Sequence, residues 1–178
     1  MSKKEMKKEM QMLHDQGKAK MDIFNEFKDR GLKEKELAQI VAQLKNRTLC
    51  ALHETKNNVL ITLMFIQTLF VAFASYQMAI QSNLSPYTFA AIGASIGLLF
   101  IYGFYRFSAL AYQAFILLTI IRLPREIEPL LKGDMVELIA FVISMCMFAY
   151  VWYLKSKLYP DLGLFGAKKS SGAYNFSS

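Results

Sequence analysis

Between residues 59 and 121 the chain carries a single charged side chain, Arg106, whereas residues 1–58 hold 13 of its 21 basic and 9 of its 14 acidic residues. A soluble domain mixes apolar and polar residues along its whole length. Polarity segregated this strongly points to an all-α integral membrane protein with a soluble N-terminal segment. The stretch VLITLMFIQTLFVAFASYQMAI, residues 59–80, has no charge at all. At about 1.5 Å per residue it is long enough to cross a hydrocarbon core of roughly 30 Å. This first apolar run starts far beyond the position where a cleaved leader would end, so it is expected to stay in the mature protein.

After that span comes QSNLSP, a connection so short that the next apolar helix must lie antiparallel to the first. Ser85 is suited to cap that helix and Pro86 to occupy its first position. Both helices carry small residues on one face: Thr68, Ala72, Ser75 and Ala79 on the first, Ala90, Gly93, Ala94 and Gly97 on the second. Small residues let helix backbones approach closely within a bilayer, so these eight are expected to pack the two spans together. Use of the same faces for homo-oligomerisation is the second reading.

The run that follows is too long for one crossing and barely long enough for two. Residues 87–121 are interrupted only by Arg106. In a three-span arrangement the second helix runs from 86 to 106 and leaves the bilayer at Arg106. The segment 107–121 then lies at the surface, where Phe107, Leu110, Phe115 and Leu118 form a candidate partner surface. In the four-span alternative Arg106 marks a tight turn and 107–121 crosses back. The absence of Pro, Asn or Asp from this run favours three spans, and its continuous apolarity favours four. In either case Arg106 is a membrane-interface anchor.

Pro124 and Pro129 are expected to stop helix propagation, with Asp134 and Glu137 opening a last span over residues 135–154. Trp152 and Tyr153 sit at its end as further interface anchors. The organisation read from the sequence is therefore a cytoplasmic helical segment 1–58, a transmembrane bundle 59–154 and an irregular tail 155–178. In the first segment, Ile23, Phe24 and Phe27 make one apolar stripe. After Gly31, Leu37, Ile40, Val41 and Leu44 make another, which predicts a helical hairpin. From 45 to 58 the chain is expected to be helical and to run into the first span.

The N-terminal excess of basic residues places that end in the cytoplasm, with a bacterial inner membrane as the expected location. The lysines of residues 1–58 alternate with acids, so nucleic acid is not an expected partner. The dense cluster MSKKEMKK suits the headgroup region of a lipid bilayer instead. Cys50 and Cys146 are too few and too far apart to frame disulfides, and Cys50 with His53 is short of a zinc ligand set. No cofactor, metal or catalytic motif is expected. The reading is a non-enzymatic protein that works by binding another protein. Concrete versions are an accessory subunit of a membrane complex and an immunity-type protein that neutralises a membrane-targeting toxin. A small transporter or channel subunit is the alternative.

Overall fold

A computed structural model describes residues 2–81, 85–131, 135–170 and 172–176. Among them the chain is helical apart from one short hairpin. The helices are α1 (Lys3–Asp15), α2 (Lys20–Phe27), α3 (Glu34–Ala42), α4 (Arg47–Leu52), α5 (Glu54–Gln81), α6 (Pro86–Tyr105), α7 (Ala109–Leu131) and α8 (Met135–Leu158). The strands β1 (Lys169–Ser170) and β2 (Ala173–Tyr174) pair antiparallel. Three of the helices, α5, α6 and the Leu138–Leu158 part of α8, are long and apolar enough to cross a membrane. The apolar part of α7, Ala109–Pro124, is shorter.

The chain folds as two compact units. One, the terminal unit, combines Met1–His53 with Trp152–Ser178; the other, the bundle, is Glu54–Val151. In the terminal unit α1 opens with a reciprocal cap: Ser2 Oγ accepts from the Glu5 amide and Glu5 Oε2 accepts from the Ser2 amide at 2.7 Å. This helix buries Met6 and Met10. The chain leaves α1 through Gly17 at φ 93 and passes from α2 to α3 through Gly31 at φ 90. Both are left-handed conformations that glycine adopts without steric cost. The apolar stripes of α2 and α3 are fully inward: Ile23, Phe27, Leu37, Val41 and Leu44 have no exposed surface. Lys45–Asn58 does not form one helix. Asn46 caps α4 by accepting from the Leu49 amide at 3.2 Å, and the chain breaks at His53 before α5.

The tail joins this core rather than trailing from it. Tyr159, Leu162, Tyr174 and Phe176 are buried, and the rings of Tyr174 and Phe176 lie 5.8 and 5.5 Å from Phe24.

In the bundle α5 and α6 pack antiparallel along their length. Asn57 meets Phe104 at one end and Tyr76 stacks edge-on against Tyr87 at the other. Helix α7 then turns back along α6 for two turns, with Phe104 against Tyr112 at 4.9 Å and Phe100 against Phe115 at 5.5 Å. One expectation is corrected here. Pro124 and Pro129 do not end the helix, because α7 runs through both to Leu131. A proline removes one amide donor and not the whole ladder, so the remaining backbone bonds carry the helix past it. The cap proposed at Asp134, the side chain of Glu137 and the middle of the QSNLSP link lie outside the described residues.

Candidate functional site

The contact between α5 and α6 explains its own sequence. A Cβ placed on Gly97 would stand 2.1 Å from Thr68 Oγ1, and one on Gly93 would stand 2.4 Å from Ser75 Oγ. Neither site has room for a side chain, so the glycines set how closely the helices approach. Thr68 is buried and donates its hydroxyl to the Met64 carbonyl at 2.7 Å. Ala79 is buried, while Ala72, Ser75, Ala90 and Ala94 are half-buried. These small faces are therefore occupied by one another within the chain.

Arg106 ends α6 and is exposed. Its Nη1 donates to Tyr102 Oη at 2.9 Å, with the guanidinium 5.7 Å from the Tyr102 ring centre. The turn after it is built from main chain. The Phe107 amide donates to the Phe104 carbonyl and the Ser108 amide to the Gly103 carbonyl, both at 2.9 Å. This is the paired 5→2 and 6→1 closure of a helix C-terminus, and it needs a left-handed residue just past the cap. Phe107 fills that role at φ 49, where glycine is usual. Sequence reading had no turn residue to find.

One buried group holds the turn in place. Asn57 has no exposed surface, and its Nδ2 donates to the Phe104 carbonyl at 2.9 Å. Its Oδ1 accepts from the fully buried Tyr112 hydroxyl. The side chain of α5 thus satisfies an end carbonyl of α6 and is itself satisfied by α7. Tyr150 Oη on α8 donates to the Lys56 carbonyl at 2.9 Å. The start of α5, the end of α6, the start of α7 and the end of α8 therefore meet at one end of the bundle. Asn57 drew no attention in the sequence, although the asparagine pair Asn57–Asn58 just before an apolar run is a signal for such a helix-end bond.

The four residues expected to form a partner surface do not share one environment. Leu110 and Leu118 are exposed, at 64% and 45%. Phe107 is half-buried in the turn, and Phe115 packs inward against Phe100 and Phe104. Trp152 and Tyr153 are partly exposed near the end of α8, with Lys155 Nζ 5.6 Å from the Trp152 ring. Among the glutamines of the bundle, Gln77 is exposed and Gln113 buried.

In the terminal unit the central feature is an ion pair, Lys20 Nζ to Asp161 Oδ2 at 2.7 Å, with both side chains about 95% shielded from solvent. Lys155 is also buried and donates to the carbonyls of Leu162 and, at 2.9 Å, Gly163. Cys50 and His53 are both buried. Burial pushes the Cys50 thiol up, and it raises the Tyr159 phenol far more strongly, with Cys50 adding to that shift. Neither group is poised to ionise near neutral pH. An open cleft of about 430 Å³ lies beside α3, lined by Lys35, Gln39, Gly163, Phe165, Gly166, Ala167, Lys169 and Tyr174.

Comparison with protein-family models, curated proteins and solved structures gives no match to this chain. Its own fold and side chains are thus the guides to its function.

Proposed function

We propose that the chain is a non-enzymatic membrane protein with four crossings, whose two ends build one soluble module that works by binding another protein. The buried Lys20–Asp161 pair carries this reading, because it joins residues on either side of the whole bundle within one core. Segments that share a core lie on the same side of a membrane, so the number of crossings between them is even. The meeting of four helix ends around Asn57, Tyr112, Lys56 and Tyr150 supports the same count. By length and composition alone three helices qualify as spans; we assign the fourth crossing to α7. Its apolar part is short for a bilayer, and Arg122 reaching toward the headgroups accommodates the mismatch.

This topology replaces the surface role first expected for residues 107–121. Leu110 and Leu118 then face lipid, and the terminal unit becomes the part available to a partner. Four crossings put 18 basic residues on the side of the termini and 3 on the other, which favours a cytoplasmic terminal unit, with a bacterial inner membrane as the expected location. Asn57, Thr68, Tyr112 and Tyr150 hold helix ends and backbones, which favours a scaffold over a conducting path, and Gln67 Oε1 is a buried bundle oxygen without a hydrogen-bond partner among the described residues. An accessory subunit of a membrane complex and an immunity-type protein against a membrane-targeting toxin both fit this design.

Purification from membranes in mild detergent tests the reading. The expected result is a protein partner retained in fixed stoichiometry and lost when Asp161→Ala disrupts the terminal unit. A pure homo-oligomer that conducts ions after reconstitution, with flux abolished by Arg106→Gln, would contradict it and establish the transporter alternative.

A further inference from the structure

Helix α7 has the shortest apolar stretch of the four proposed crossings, Ala109–Pro124. At about 1.5 Å per residue this is roughly 24 Å of helix, short of a hydrocarbon core of roughly 30 Å. Gln113 lies within the stretch and Arg122 close to its far end. A segment of that length and polarity has little drive of its own to cross a bilayer. Its place in the bundle therefore depends on what it touches.

Among the described residues those contacts gather in the first two turns. Tyr112 and Ile116 have no exposed surface, whereas Leu118 and Ile121 further along are 45% and 69% exposed. A Cβ placed on Gly103 would stand 2.4 Å from the Ala111 Cβ, so the start of α7 comes this close to α6 because residue 103 is glycine. The Tyr112 ring lies against Phe104, and its hydroxyl donates to Asn57 Oδ1 on α5. The other end of that carboxamide donates to the Phe104 carbonyl on α6. Asn57 is thus bonded to both sides of the α6–α7 turn, to main chain before it and to a side chain after it. All of these groups belong to the bundle. If the turn opens, the buried hydroxyl and carboxamide lose their partners where water is scarce, and that loss opposes opening.

We propose that the Asn57–Tyr112 hydrogen bond is a latch that commits α7 to crossing the membrane. Latched, α7 lies back along α6 as the fourth span. Unlatched, it stays on the near side, and the two ends of the chain no longer reach the same side. This rests on the reading of α7 as the fourth crossing. Asn57 is a positioning residue for a helix to which it does not belong. Because one half of the latch is built from α5 and α6 together, α7 enters only after those two helices have paired.

A latch and simple hydropathy make opposite predictions for one variant. Tyr112→Phe makes α7 more apolar while removing the bonded hydroxyl, and Asn57→Ala leaves the sequence of α7 untouched. Met135→Cys, at a position 67% exposed where α8 begins, reads the crossing in full-length protein whose Cys50 and Cys146 are replaced by alanine. A membrane-impermeant maleimide applied to intact cells should label it. Absence of that labelling would remove the fourth crossing, and the latch with it. The exposed Leu110, Leu118 and Ile121 are then replaced by serine, one after another, until half of the molecules label. In that background Tyr112→Phe and Asn57→Ala should each lower the ratio of labelled to protected protein roughly tenfold. Combining them should lower it little further, because both remove the same bond. A ratio raised by Tyr112→Phe, or unmoved by Asn57→Ala, would overturn the latch and leave the four crossings standing.

Discussion

In the terminal unit the side chains hidden from contact are Ile23, Phe27, Leu37 and Leu44, and most charges lie outside. In the bundle Asn57, Thr68, Tyr112 and Gln113 are among the hidden groups, while Phe70 and Leu99 are 69% and 71% exposed. Exposed large apolar side chains are thus concentrated in the bundle. Water drives apolar groups together in the first unit. In the second, apolar groups gain nothing by leaving lipid, and close backbone approach and hydrogen bonds between helices hold the fold. The buried ion pair of the terminal unit, Lys20 with Asp161, is correspondingly a place where that unit is vulnerable.

Removing one partner of that pair gives the largest expected loss. Asp161→Ala leaves Lys20 buried without its counter-charge, and such a charge costs about 3–5 kcal/mol. Denaturant titration of the terminal unit, read by protease resistance, should show it collapsing first while the bundle stays helical. Replacing both partners, with Lys20→Met and Asp161→Leu, should recover most of the stability. A double variant as unstable as the single one would mean that the pair does more than neutralise a buried charge.

A charge on the outer face of the bundle comes next. Leu99→Arg should cost about 3 kcal/mol of insertion free energy, because Leu99 is 71% exposed on α6, a helix long and apolar enough to cross a membrane. A glycosylation or reporter-fusion insertion assay measures it. The opposite swap in the terminal unit, Lys28→Leu on an exposed position, should be nearly silent. If Leu99→Arg is equally silent, the contrast between the two units is lost.

The helix approach in the bundle gives a smaller effect. Gly97→Ala forces a methyl group against Thr68 and should destabilise the α5–α6 pair by roughly 1–3 kcal/mol. Adding Thr68→Ala removes the atoms nearest to that methyl and should restore part of the loss. A detergent-unfolding series on the four members of this double-mutant cycle reads the coupling.

Much of this contrast was legible in the sequence. The uncharged runs located α5 and α6, the glycine and threonine spacing located their contact, and the three-and-four spacing of apolar residues located α2 and α3. Other features were not. Helix α1 was read as a basic cluster, although Ser2 and Glu5 spell its cap. The turn at Phe107 carries no turn residue, because its stability comes from Asn57 and Tyr112, which lie about fifty residues apart. The pairing of Lys20 with Asp161 spans 141 positions and leaves no trace in local periodicity. The proposed number of crossings rests on a contact of that kind, which span counting from hydropathy does not see.

The smallest expected effect lies on the surface of the terminal unit. Partial burial works to raise the Asp15 carboxyl, but hydrogen bonds from Gln11 and Arg47 outweigh it and hold the group below its ordinary value of 3.8. A depressed folded-state value stabilises above the ordinary pKa and is lost as pH falls through the folded one. Arg47 is largely exposed, so the contribution is a few tenths of a kcal/mol. Asp15→Asn should therefore be slightly less stable than the parent at neutral pH, and the two should converge only as the pH falls through the folded-state value, which lies below 3.8.

Whether the two termini share one side of the membrane is open to direct measurement. With Cys50 and Cys146 replaced by alanine, cysteines introduced one at a time as Lys4→Cys and Asn175→Cys can be labelled with a membrane-impermeant maleimide. Both positions are exposed in the terminal unit. In expressing cells, both should stay unlabelled while the membrane is intact and react fully once it is opened. Labelling of Asn175→Cys in intact cells, with Lys4→Cys still protected, would mean an odd number of crossings and would contradict a terminal unit built from both ends of the chain.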